Sequence, residues 1–432
     1  MDTTVKVSSS RKHLVSFKHL VPFLTMTITS VETYVQRPIL WFSLCALASV
    51  FGLFTVNWMI YRTHLPGLLI KAGFVPTIAP TLLLIEALIA IAQEPLAGLF
   101  SDRLHRLKGT RFSLILFGTV LLVLLSIAIP LLVQVSLGKM KGLMLAVLIG
   151  WAIAITLFRS PALALLRRYA PALRLPQAAS VLTFAGGLAG STTPFASEWV
   201  KSIGATTAFA LGAILLLLSV LWLQRQEQFL ETPKNGDPFE DNRAISSTQI
   251  LPINLGAIFG LGLTTALSLR LAVELLPKVL KAQVPGVTPP TFVGILFITI
   301  AIAAFPAGRF ALHKGNPLTL LLGIIAAAIG FGFMGLIHSA GMAVLLAIEL
   351  GIALSLLTNS ALPWTLGLIP SHVTGLGVGL FFGGGAAATS LFIGLLSKSG
   401  FLSPVNGVAI AWITLMVAAF CVIVGQERSP NH

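Results

Sequence analysis

The feature that most constrains this chain is the recurrence, from about residue 38 to about residue 424, of apolar runs roughly 20 residues long, the length a helix needs to cross the hydrocarbon core of a bilayer. Runs of that length leave no surface for water, so the chain reads as an all-α membrane protein. Composition agrees, with 56% hydrophobic and only 10% charged residues, against about 25% charged in soluble domains. A soluble enzyme, a disordered chain and a fibrous protein are excluded on that ground. Both cysteines, Cys45 and Cys421, lie inside apolar runs, and they frame neither a disulfide scaffold nor a metal site.

Breaking the runs at charged or Pro/Gly-rich clusters predicts twelve transmembrane helices. They cover about Pro38–Tyr61, Pro76–Phe100, Phe112–Val135, Leu143–Leu166, Gln177–Glu198 and Ile203–Leu223, then Ile250–Leu271, Thr291–Ala307, Pro317–Ile337, Gly341–Trp364, Gly375–Leu396 and Val405–Val424. The expected organisation is a tail over 1–37, a six-helix bundle over 38–223, a linker over 224–249, a second bundle over 250–425 and a tail over 426–432. The linker holds five of the fourteen acids, Glu227, Glu231, Asp237, Glu240 and Asp241, and reads as a solvated segment. The first tail does not read as a cleavable signal peptide, because its apolar part is broken by polar residues and Glu32.

Loop charge tests the map. Of 28 Lys+Arg, 18 fall on one set of alternating loops and tails and 8 on the other, with Arg159 and Arg270 within or at the edge of spans. Basic loops stay in the cytoplasm, so both termini are expected there. The net charge of +14 then reflects orientation and anionic lipid headgroups, and no nucleic-acid partner is expected.

The two sets of six helices resemble each other. Pro95-Leu-Ala-Gly98 corresponds to Pro306-Ala-Gly308, Lys108-Gly109 to Lys314-Gly315, and Phe184-Ala-Gly-Gly-Leu-Ala-Gly190 to Phe382-Gly-Gly-Gly-Ala-Ala-Ala388. Order and spacing agree, which predicts two parallel pseudo-repeats.

Between the second and third spans the chain reads Gly98-Leu-Phe-Ser-Asp102-Arg103-Leu-His105-Arg106-Leu107-Lys108-Gly109-Thr-Arg111. This resembles the G-x-x-x-D-R-x-G-R-[RK] loop of the major facilitator superfamily, differing at His105 and Leu107. The resemblance covers about residues 38–425 and implies a twelve-helix secondary transporter that usually acts as a monomer. It also implies that Gly98 permits close helix approach, that Asp102 pairs with a nearby arginine to lock one conformation, and that Arg103, Arg106 and Arg111 hold the loop on the cytoplasmic side. A narrower likeness, carried by Glu94-Pro95 through Arg103 and by Phe158-Arg159-Ser160-Pro161, is to the branches holding glycoside–cation symporters and light-harvesting pigment assembly proteins. The acids typical of the sugar pattern are missing after Arg168 and after Arg309.

An ionisable residue inside a span is costly and is a functional candidate by default. Glu86 is the first choice for a coupling residue, since a carboxyl in a low-dielectric cavity can exchange a proton near neutral pH; a purely structural hydrogen bond is the alternative. Glu349 is divided between the same two roles. Arg159 reads as a gate residue paired with Asp102 or Glu94, or as a substrate ligand. Arg270 and Glu274, four apart on one face, read as an outer ion pair. Asn57, Trp58 and Tyr61 either line a central cavity or form an interfacial aromatic belt; Gln93 and Asn359 are further cavity candidates.

Enzyme signatures are missing. No G-x-x-x-x-G-K-[ST] loop is present, and no cofactor or metal is expected. The reading is a secondary active transporter of a small organic solute, proton-coupled through Glu86 and Glu349, with a sugar or glycoside implied by resemblance alone. The alternatives are a non-transporting pigment-handling or assembly protein on the same scaffold, or an exporter of amphipathic compounds. A bacterial plasma membrane is the expected location, a thylakoid-type membrane the alternative.

Overall fold

The structure is a computed structural model and describes residues 38–136, 140–230, 252–397 and 402–427. The tail expected over 1–37 and most of the linker lie outside these residues. Twelve long helices make up the described chain. In the first half they are α1 (Trp41–Lys71), α2 (Ile78–Lys108), α3 (Phe112–Ser136), α4 (Lys141–Tyr169), α5 (Leu175–Ser202) and α6 (Ala205–Leu230). In the second they are α7 (Pro252–Gln283), α8 (Pro289–Lys314), α9 (Asn316–Phe333), α10 (Ala340–Gly367), α11 (Thr374–Leu391, prolonged by a wide turn Phe392–Leu396) and α12 (Pro404–Glu427).

Eleven of these are long and apolar enough to cross a membrane. The exception, α5, is long enough at 28 residues but is rich in Gly, Ser and Thr. It packs against α1 and α8, so helices rather than lipid cover much of it and it needs less apolar surface.

The packing is that of a pseudo-repeat. α1 packs on α5 and α6 as α7 packs on α11 and α12, and α3 packs on α4 and α6 as α9 packs on α10 and α12. The halves meet through α2 against α11 and α5 against α8, pairs that exchange under the same six-helix shift. Local geometry repeats as well. α4 and α10 are each followed by a proline, Pro171 with φ −63°, ψ 153° and Pro370 with φ −61°, ψ 155°, which leads into a short tight turn at Ala172–Arg174 or Ser371–Val373.

Small residues let the halves approach, as in membrane helix pairs generally. A side chain at Gly98 would overlap the Gly375 carbonyl, and one at Gly379 the Glu94 carbonyl. Pro95 has no N–H to give the Ile91 carbonyl, and the backbone of Gly383 packs at that carbonyl. On the other seam Gly187 meets Ala301 and Gly308 meets Pro176.

Several helices outrun their expected ends. α1 has 31 residues, about 46 Å at 1.5 Å per residue, against a hydrocarbon core of about 30 Å. It therefore continues beyond Tyr61 through Arg62, His64 and Pro66 to Lys71. α2 reaches Lys108, so Asp102, Arg103 and Arg106 are helical. α7 reaches Gln283 and carries Arg270 and Glu274 well inside it. α6 runs to Leu230, and Glu227 is buried on it, bonded by Arg168 at 2.7 Å and by the Tyr169 hydroxyl. The reading of Glu227 as a solvated linker acid is corrected. A charge near a helix end looks like a loop in sequence, but a long helix can keep it and still find it a partner.

Candidate functional site

The α1 start and the α4 end share one end of the bundle, where the Leu40 amide donates to the Tyr169 carbonyl at 2.9 Å. The α2–α3 and α10–α11 turns lie at this tail end too, and here the halves are latched. Asp102 on α2 is joined to Arg111 at 2.8 Å, and its two carboxylate oxygens accept from the Gly375 and Leu376 amides, each at 2.9 Å. These are first-turn amides of α11, unused by the helix itself and favourable to an anion. Arg167 donates to the Ile369 carbonyl at 2.9 Å across the same seam. Arg103 and Arg106 are exposed.

Toward the middle of the bundle a cavity of about 510 Å³ lies between the halves. Arg159 is at its wall because Pro161 cannot donate to the Leu157 carbonyl, and α4 breaks at Phe158. The Arg159 guanidinium is paired with the fully buried Glu94, which also accepts from the Ser160 hydroxyl. It lies over the Phe54 ring of one half at 5.0 Å and the Phe382 ring of the other at 4.3 Å. Of the two partners expected for it, Glu94 is the one it meets, and Asp102 belongs to the latch.

Farther from the tail end, Glu86 lines the cavity and accepts a hydrogen bond from the Tyr61 hydroxyl. Tyr61 is wholly buried and stacks on Trp151 with centroids 4.2 Å apart. Trp58 lines the cavity, edge-on to both rings. Trp58 and Tyr61 are therefore core residues, and the belt alternative is overturned: α1 extends ten residues beyond Tyr61, which moves both rings from the helix end to its interior.

Sequence reasoning missed Arg62. It lines the cavity, with its guanidinium over Trp58 at 5.3 Å. The signal available was its place directly after Tyr61 on an unbroken pattern, which was read as the loop after α1.

Other expected cavity residues lie elsewhere. Asn57 donates to the Gly212 carbonyl at 3.0 Å and ties α1 to α6. Gln93 donates to Ile153 at 2.6 Å and ties α2 to α4. Asn359 is buried in the α10–α5 contact, donating to Pro176 at 3.4 Å. Glu349 sits on α10 with its carboxyl against Gly330 of α9, away from the cavity lining. The Arg270–Glu274 pair does not form: Glu274 meets Lys278 at 3.5 Å, while Arg270 lies over Phe392 at 5.1 Å. The places of Asn57, Gln93, Asn359 and Glu349 follow from helix rotation, which sets whether a polar residue faces the cavity or a neighbouring helix.

The two-fold packing, the seam of α2–α11 and α5–α8 and the cavity between the halves coincide with a match of the Major Facilitator Superfamily profile to residues 47–393. The chain belongs to the major facilitator superfamily. Solved structures similar to this superfamily member include the proton:xylose symporter XylE bound to 6-bromo-6-deoxy-D-glucose, at 16% identity and TM-score 0.66 over 90% of this chain and 96% of that one. They also include a bacterial homologue of the iron transporter ferroportin in an outward-facing state, at 15% identity and TM-score 0.63 over 89% and 98%. These likenesses show a shared fold. A search of curated protein sequences gives no match.

Proposed function

We propose that this protein is a proton-coupled secondary transporter that carries a small organic solute by alternating access. The observation that carries the reading is Glu86, a carboxyl in the wall of an inter-half cavity whose hydrogen-bond partner is a phenol. A carboxyl so placed can hold a proton in one conformation and release it in another. Two halves joined by small-residue seams and an ionic latch have the parts needed to rock about such a site. With the basic loops inside, the latched end is cytoplasmic and this conformation is closed to the cytoplasm. The protein acts as a monomer in the bilayer, as superfamily members usually do.

Charged groups facing a cavity between the halves favour transport over the pigment-assembly alternative, for which an apolar opening toward lipid would serve. Glu349, against Gly330 and away from the cavity, drops out of the coupling site. A sugar remains the solute implied by resemblance, and the solute named for XylE is a sugar.

The test is made in proteoliposomes containing a pH-sensitive dye and offered sugars, amino acids and organic acids in turn. Wild type should acidify or alkalise the lumen with the solute that it moves. Glu86→Gln should lose this proton movement while retaining exchange of labelled for unlabelled solute. Unchanged solute-driven proton flux in Glu86→Gln would remove Glu86 from the mechanism.

A further inference from the structure

The cavity lining bears on the kind of solute, an inference that rests on the transport reading of the same cavity. Apart from the Trp58 indole N–H, its neutral hydrogen-bonding side chains are threonines, without Asn, Gln or His. Most of these hydroxyls are committed: Thr55, Thr156, Thr358 and Thr389 donate to carbonyls one turn back at 2.8–3.2 Å. A polyhydroxylated solute would lose more hydrogen bonds to water than this wall returns, and an unmade bond in a buried site is costly. The remaining wall is apolar, with Phe51, Phe54, Trp58, Phe297, Phe381 and Phe382 set among aliphatic residues and glycines.

The charges are uneven. Arg159 is matched by Glu94. Arg62, on the cavity wall over Trp58, has no carboxylate within ion-pair distance among the described residues, because Glu86 is engaged by Tyr61 and acts on it at longer range. A guanidinium keeps its charge when desolvated and presents a planar fork to carboxylate, sulfonate or phosphate oxygens.

We propose that the solute is an amphipathic organic anion, its acidic group on Arg62 and its apolar or aromatic body among the phenylalanines. The anion supplies the charge that Arg62 lacks, and the rings remove the body from water.

The test uses full-length protein in detergent and reads the unfolding temperature, which a ligand of the folded state raises by mass action. The probes are arylalkyl carboxylates of increasing length, phenylbutyrate among them, each beside the alcohol and the amine of the same body, with xylose and glucose for comparison. At least one acid should stabilise wild type more than its alcohol and its amine, and the sugars should do little. Its affinity should fall about tenfold to a hundredfold in Arg62→Gln, the loss of a hydrogen bond to a charged group. It should be partly retained in Arg62→Lys and unchanged in Lys201→Gln, at an exposed surface pair. The proposal is overturned if no acid stabilises wild type, if acid and alcohol are equivalent, or if the acid's effect survives Arg62→Gln. Because no gradient is involved, binding of the acid without any solute-driven proton movement would sink the transport reading alone. Coupled movement of another solute with indifference to the acids would sink this proposal alone.

Discussion

Replacing Asp102 with asparagine keeps the shape of the latch and removes its charge. Asp102 is 1% exposed and its partner Arg111 7%, so water screens little of the loss. Of the hydrogen bonds from the Gly375 and Leu376 amides, each to its own carboxylate oxygen, one falls from a charge-assisted bond to a neutral one, a loss of about 1 kcal/mol, and the other is lost because the asparagine NH2 cannot accept, a cost of about 1–3 kcal/mol. Weakening the Asp102–Arg111 pair adds on the order of 1–3 kcal/mol. The sum is at least about 3 kcal/mol, and all of it belongs to the conformation in which α2 touches the start of α11. Roughly 1.4 kcal/mol is a factor of ten, so the population open at the tail end should rise about a hundredfold, until it dominates. A cysteine at Thr358, on the cavity wall, in a background lacking Cys45 and Cys421, reports the change through its reaction with an impermeant maleimide. In vesicles exposing the tail end, labelling of Asp102→Asn should be faster by about that factor, and in vesicles of opposite orientation it should slow or stay level. Equal rates in variant and parent from the tail end would show that the ion pair and its helix cap do not hold the halves together.

Gly98→Val forces a side chain into the Gly375 carbonyl; overpacking of this kind costs about 1–3 kcal/mol, and the unfolding temperature should fall while the exposed Gly142→Val, with open space around it, leaves it level. Arg159→Gln strands the buried Glu94 and should destabilise by about 3–5 kcal/mol, and adding Glu94→Gln should restore much of the loss; a double variant as unstable as the two losses added would deny the coupling. Glu349→Gln should retain solute-driven proton flux that Glu86→Gln loses, and equal loss in both would return Glu349 to the coupling site.

The number of spans, the doubling and the basic alternation follow from run length and loop charge, which act locally and are readable residue by residue. Part of the latch was legible: Gly98 at a close approach and Asp102 beside a nearby arginine depend on one helix end and one turn, while the bonds of Asp102 to the Gly375 and Leu376 amides of the other half did not show in the sequence. The repeat was under-read, since Pro66 in α1 and Pro277 in α7 stand as far apart as Pro95 and Pro306. What the sequence left open was helix rotation. In a soluble protein an apolar stripe tells which face is buried, but lipid and helix neighbours are equally apolar, so nearly every face of α1, α2 or α10 looks alike. Only the packed bundle decided that Glu86, Arg62 and Arg159 look into the chamber while Asn57 and Gln93 bind neighbouring helices and Glu349 lies against α9, because only packing sets which face of a helix meets a neighbour and which meets the cavity.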